Sequence, residues 1–190
     1  ASTTLAERGH EVHLFDAAPV LGGQLNLAAQ VPGKEEFHET LRYWRRRVET
    51  TGVTPHLNQR VSAEALQAGA YDEVVIATGV TPRNPRIPGQ EHAKVLSYID
   101  VLRGAPVGAR VAVVGAGGIG FDVAEFLVSA GRSTTLDLPA WLAEWGVADP
   151  AAARGGLATE MPAPAHAPTH QVTLLQRKAG KLGAGLGKTT

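Results

Sequence analysis

Residues 110–127 read Arg-Val-Ala-Val-Val-Gly-Ala-Gly-Gly-Ile-Gly-Phe-Asp-Val-Ala-Glu-Phe-Leu. A β-branched run breaks at Gly115 into G-x-G-x-x-G, and an apolar pattern of helical period follows. This order of strand, glycine turn and helix constrains the fold more than any other feature of the chain. Gly115 permits the tight turn out of the strand, and Gly120 lets the new helix pack against it. Gly117 lets a ligand's diphosphate approach the backbone, and Gly118 is grouped with it at the helix start. The helix N-terminus points free N–H groups and the positive end of its dipole at the same place. Because the strand before and the helix after both read correctly, the turn predicts a dinucleotide site rather than a plain strand–turn–helix.

The rest of the chain supports two partial units of this kind, residues 1–105 and 106–190. Residues 1–10 read as the last turns of a helix closing on Gly9. Glu11-Val-His-Leu-Phe-Asp16 is a short alternating strand ending in an acid. In a dinucleotide fold an acid there accepts hydrogen bonds from an adenosine ribose; the other reading of Asp16 is a solvated strand end. Gly22, Gly23 and Gln24 form a loop. Residues 35–51 predict an amphipathic helix with Phe37, Leu41, Trp44 and Val48 on its inner face. Arg42, Arg45, Arg46 and Arg47 lie mostly elsewhere, as a solvated face or an anion patch.

Residues 53–57 predict a strand, residues 64–67 are too few to type, and residues 71–79 predict a buried strand ending in a small-residue turn. Pro82, Pro85 and Pro88 make an extended connector, and residues 94–103 predict a short strand and helix. After the helix that ends near Gly131, a short helix holds Trp141 and Trp145. A loop over 151–169 follows, then a strand over 171–175.

Composition removes several function classes. Formal net charge is zero, so nothing suggests a nucleic-acid or membrane-surface partner. No cysteine is present, which excludes disulfides and thiolate-bound metals within these residues and fits a reducing, cytoplasmic setting. No apolar run approaches the ~20 residues of a membrane span. The opening helix lacks a preceding strand and turn, and the glycine-rich end lacks a closing element. The chain therefore reads as part of a longer protein.

Arg177 and Lys178 stand where the second strand of the nucleotide unit ends, with Gln176 in the place of the usual acid. An acid there repels a ribose 2′-phosphate, whereas two cations attract it, so the pattern favours NADPH over NADH. The complication is spacing: the acid normally lies about 20 residues past the glycines, and here a Trp-containing insert intervenes. The bland alternative is two surface cations. The glycine-rich tail fails the P-loop register because Leu182 stands where that motif needs glycine. His166 and His170 lack further metal ligands.

Taken together, the chain resembles the C-terminal FAD- and NADPH-binding region of bacterial 2,4-dienoyl-CoA reductases. The matching segments include Val12–Asp16, Leu21–Gln24, Val31–Phe37, Ala77–Arg83, Val95–Leu102, Gly115–Asp122, Leu174–Lys178 and Gly185–Thr190. The resemblance implies an α/β fold of Rossmann-like FAD/NAD(P)-binding domains of the glutathione-reductase type, cut at both ends. It implies NADPH on Gly115, Gly117, Gly118 and Gly120, with Arg177 and Lys178 on its 2′-phosphate. It implies FAD across the first half: Asp16 on the ribose, Gly22, Gly23, Gln24 and Lys34 at the cofactor, Val61 meeting the adenine through its main chain, and Ala77, Thr78 and Gly79 passing close by. The reaction implied is hydride transfer from NADPH to FAD in unsaturated fatty acid β-oxidation. FMN, a 4Fe-4S cluster and the dienoyl-CoA site would belong to a barrel region not in this sequence. The first strand and glycine loop of the FAD fold are absent, so the resemblance also implies poor FAD binding and no dienoyl-CoA turnover by these residues alone. Rival readings are a related old-yellow-enzyme-type flavoprotein acting on another enone or an amine, and a non-catalytic NADPH-binding module.

Overall fold

A parallel pair of strands cannot be closed by a tight turn, so the chain must cross over, usually through a helix. Both halves of this protein solve that problem. The computed structural model describes residues 1–129, 133–149, 151–158, 167–183 and 186. Its backbone contacts define two units: Ala1–Asn26 with Phe37–His92, and Leu27–Glu36 with Ala93–Thr190.

In the first unit, helix α1 (Ser2–Glu7) ends at Arg8, and Gly9 follows at φ +90°, the left-handed conformation the sequence assigns to it. Strand β1 (His13–Phe15) comes next. After the short helix α2 (Leu25–Ala28), helix α3 (Glu36–Thr50) supplies the crossover to strand β2 (Thr54–His56). The two strands pair in parallel, His13 opposite Thr54 and Phe15 opposite His56. Imidazole and aromatic rings cover one side of the pair. His13 Nδ1 lies 2.9 Å from His56 Nε2, and the His56 ring stacks on Phe15 with centroids 4.5 Å apart.

Helix α3 buries Leu41 and Val48, as its periodicity predicts. Trp44 is a correction: it is 50% exposed and packs edge-on against Tyr43 on the outer side of the helix. The four arginines form no anion patch. Arg42 pairs with Glu39, Arg46 with Glu49, Arg47 with Glu7, and Arg45 turns inward to a backbone carbonyl.

Two further expectations change in this unit. Residues 64–67 lie in helix α4 (Ala63–Ala68), started by the Ser62 hydroxyl accepting the Ala65 N–H at 3.2 Å. Residues 71–79 form no ladder with any described strand, and the run is exposed, Ile76 by 82%. A β-branched run predicts a strand only if partners flank it, and no described strand does so here.

In the second unit, helix α5 (Tyr98–Leu102) opens on a complete capping box between Ser97 and Asp100. The strand expected just before it is absent; residues 94–96 have no regular structure. Strand β3 (Arg110–Val114) leads into helix α6 (Gly118–Val128), and β3 pairs in parallel with strand β4 (Gln171–Leu175). The five-residue register runs from Arg110 opposite Gln171 to Val114 opposite Leu175. Strand alternation turns Val111 and Val113 onto a core of Val31, Val101, Leu102, Val123 and Leu127. Between α6 and β4 lie helix α7 (Leu138–Glu144) with Trp141 and an antiparallel bridge between Val147 and Leu157. Among the described residues no helix is long and apolar enough to cross a membrane.

Candidate nucleotide-binding site

The turn from β3 to α6 has the geometry its glycines predict. Gly115 takes φ +124°, a conformation that L side chains rarely adopt, and its N–H donates to the Leu175 carbonyl at 2.9 Å. A Cβ at Gly120 would overlap the Gly115 carbonyl oxygen and lie 3.0 Å from its carbon. Gly120 is therefore required by close packing of helix on turn. Gly117 is different. It has an ordinary extended backbone, φ −96° and ψ −176°, and a Cβ built on it meets nothing within 4 Å. It occupies the N-cap of α6, and no side chain caps the helix. Among the described residues a Cβ on Gly118 would touch only Leu186 Cδ2, at an ordinary 3.7 Å.

The β3–β4 pairing brings the two cations to this turn's end of the sheet. Val114 stands opposite Leu175, so Gly115 and Gln176 leave the ladder side by side. Arg177 and Lys178 follow at once, both exposed. The Gln176 side chain folds back to donate to the Lys178 carbonyl at 2.7 Å and to the Gly180 carbonyl at 3.3 Å. The insert that lengthens the sequence between the glycines and the cations leaves the strand register intact.

Lys34 belongs to the same unit, and its ammonium pairs with Asp122 Oδ1 at 2.6 Å. Asp122 sits one turn into α6, two residues past the last glycine of the fingerprint, but sequence reading gave it no role. Next to Lys34, burial pushes the Glu35 carboxyl up. Hydrogen bonds from Ser133, its own backbone N–H, Gly33 and Thr135 outweigh that effect and hold it below the usual carboxylate value. Lys34 is thus held between an ion pair and an anchored neighbour.

In the first unit, Asp16 directly follows β1, and its Oδ1 accepts the Ala18 N–H at 2.9 Å. Gly22 and Gly23 turn with φ +129° and +51°. Gln24 Nε2 donates to the Val80 carbonyl at 3.1 Å, which places Gln24 beside the segment Ala77, Thr78, Gly79. That segment has no regular structure and is exposed, and Gly79 takes φ +71°. Val61 is half-buried just before α4. Sequence reasoning missed Arg45 and Asn26, which grip the glycine turn. The available signal was position: Arg45 follows Leu41 by four residues, on the helix face that carries the buried side chains.

His170 Nδ1 lies 3.1 Å from the Leu127 carbonyl, and Thr169 Oγ1 donates to the same oxygen at 3.0 Å. His170 therefore helps to close the end of α6. Gly131, His166 and the tail residues Gly185, Gly187, Lys188 and Thr189 lie outside the described residues. Among the described residues no group of three or more His, Cys, Asp or Glu could hold a metal.

Comparison with known proteins agrees with this architecture. The family model described as pyridine nucleotide-disulphide oxidoreductase matches residues 1–178. A metal reductase of Desulforamulus reducens is 36% identical over 137 residues, 70% of this chain and 20% of that protein. A probable N-methylproline demethylase of Rhizobium meliloti is 36% identical over 142 residues, 73% of this chain and 21% of that protein. Among solved structures, a 2-naphthoyl-CoA reductase complex superposes with a TM-score of 0.65 at 30% identity, covering 69% of this chain and 20% of that one. The chain thus spans about a fifth of the length of the curated relatives it matches. A parallel strand pair closed by a glycine turn and a tightly seated helix is the nucleotide-binding architecture of that family, which binds FAD and NAD(P)H, and this chain belongs to the pyridine nucleotide-disulphide oxidoreductase family.

Proposed function

We propose that this chain is the electron-input region of a longer flavoprotein that uses NADPH to reduce 2,4-dienoyl-CoA. Residues 1–105 form part of an FAD-binding domain and residues 106–190 part of an NADPH-binding domain. The observation that carries the reading is Gly117, a glycine with no backbone strain and, among the described residues, no neighbour to explain it, at the start of an uncapped helix. A diphosphate in that open space accounts for it.

On this reading Gly115, Gly117, Gly118 and Gly120 hold the NADPH diphosphate, and Arg177 and Lys178 take the 2′-phosphate. The cations' exposure and their place beside the turn favour this role. Asp16 takes the FAD ribose, Gly22, Gly23 and Gln24 face the cofactor, and Val61, Ala77, Thr78 and Gly79 border it. Bound together, the two cofactors supply hydride transfer from nicotinamide to flavin. The chain's own part is to hold them, with Gln24 fixed on the Val80 carbonyl and the Lys34 ammonium held by Asp122. Substrate choice, FMN and a 4Fe-4S cluster belong to a barrel region outside this sequence.

A second reading keeps the input region and changes the substrate to another enone or an amine. The similarity to a protein named N-methylproline demethylase favours it. Stopped-flow absorbance on the full-length protein tests the shared core of both readings. NADPH is expected to bleach bound flavin faster than NADH does, and binding without bleaching identifies a non-catalytic NADPH module instead. Turnover of a dienoyl-CoA, compared with an N-methyl amine under the same conditions, separates the two substrates.

A further inference from the structure

The turn Leu21–Gln24 is held from below by helix α3. A Cβ on Gly22 would overlap Leu41 Cδ2 and lie 2.7 Å from Asn26 Nδ2, so the turn is seated directly on the helix. One helical turn beyond Leu41, the Arg45 guanidinium reaches the same turn from its side. Nη2 donates to the Leu21 carbonyl at 3.0 Å and to Asn26 Oδ1 at 2.9 Å, and Nε donates to the Leu21 carbonyl at 3.3 Å. Asn26 completes the clamp through Nδ2, which donates to the Leu21 and Gly23 carbonyls, each at 3.3 Å. The opposite side is open. Gly23 and Gln24 are exposed, and a Cβ on Gly23 would meet nothing within 4 Å.

We propose that Arg45 is a positioning residue: it fixes the Leu21–Gln24 turn so that the open Gly23–Gln24 side is presented to FAD without the cofactor having to order it. This rests on the reading of Gly22, Gly23 and Gln24 as part of the FAD site. A planar fork on a half-buried helix face holds the Leu21 carbonyl through two donors, a geometry that lysine cannot reproduce. A turn ordered in advance spends less of the cofactor's binding energy on its own immobilisation.

Arg45→Lys in the full-length holoenzyme tests it. The FAD dissociation constant is expected to rise about tenfold while the NADPH dissociation constant stays within twofold. In the apoprotein, hydrogen exchange is expected to quicken at the Leu25 and Asn26 amides, which bond to the Gly22 and Gly23 carbonyls. A residue that only supports the fold would instead lower the melting temperature and weaken both nucleotides together, and that outcome overturns the proposal. So does unchanged FAD affinity with unchanged exchange. If Arg45→Lys does not fold, Asn26→Asp is read in the same way, because it keeps the acceptor for Arg45 and removes the donors to the two carbonyls. A wild-type protein that takes up no FAD defeats the FAD reading itself, a different result from a wild type that binds FAD as tightly as its variant.

Discussion

Two substitutions in one glycine turn should pull stability and nucleotide binding in opposite directions. Gly120 lies in the first turn of α6, where replacing glycine by alanine in open surroundings gains about 1 kcal/mol of helix stability. Here the new methyl would overlap the Gly115 carbonyl, so α6 must retreat on the order of 1 Å to restore a normal contact distance. Overpacking of that kind costs about 1–3 kcal/mol, enough to reverse the propensity gain. Gly120→Ala should therefore destabilise the protein and, by displacing the helix start, weaken NADPH as well. Gly117→Ser should do the reverse. Its extended backbone suits an N-cap serine, which favours the helix by a few tenths of a kcal/mol. Yet its side chain fills the space assigned to the diphosphate. Losing one charge-assisted N–H contact costs about 1.5–3 kcal/mol, or roughly 10–100-fold in affinity. Chemical denaturation and calorimetry with NADPH, run on both variants, read the two effects separately. A Gly117→Ser protein that binds NADPH like the wild type refutes the diphosphate assignment. A Gly120→Ala protein that is more stable refutes the packing argument.

Replacing Arg177 and Lys178 together by alanine should weaken NADPH roughly 10–100-fold and leave NADH within twofold, as two lost charged contacts to a phosphate imply; equal losses for both coenzymes in calorimetry would place the cations elsewhere. Because both side chains are exposed, the wild-type preference for NADPH should shrink as salt rises through about 0.5 M. Ser97→Ala removes half of the capping box ahead of Val101 and Leu102 in the second unit's core and should cost about 1 kcal/mol by denaturant melt. The Glu35 carboxyl is held below its ordinary value of 4.5, so its contribution is present above that pH and is lost as pH falls through its folded value. Glu35→Gln should therefore flatten the acid limb of a plot of melting temperature against pH, and an unchanged limb would count against the Ser133 network.

What could be read in the sequence was local. The glycine turn, the crossover helix α3 and the strands β1, β2 and β4 follow from short-range periodicity, and each lies where its pattern puts it. Contacts between distant residues were not legible. The Lys34–Asp122 pair joins residues 88 apart, and nothing in either neighbourhood marks the other. Trp44 and Arg45 both fall near the apolar stripe of α3, and hydrophobicity alone favoured the wrong one. The helix faces a polar turn there, so the guanidinium goes in and the indole stays out. The run at 71–79 failed for the same reason: β-branched composition reports what a segment can join, and pairing depends on which strands lie beside it.

The two glycine turns share a logic that separates architecture from ligand. In each, one glycine is demanded by the protein behind it: Gly22 by Leu41 of α3, and Gly120 by the Gly115 carbonyl. In each, a neighbouring glycine faces open space. Gly23 has a reason within the chain, since φ +51° favours a residue without a side chain. Gly117 has none, because its backbone would accept any residue and serine would cap the helix better. Among the described residues, stability gives no ground for leaving a side chain off that position; on the proposed reading the ground is the nucleotide diphosphate beside it. A helix terminus of uncapped N–H groups specifies the charge of that occupant, and an anion linked to a nucleotide is the ligand that this family's turn is shaped to hold.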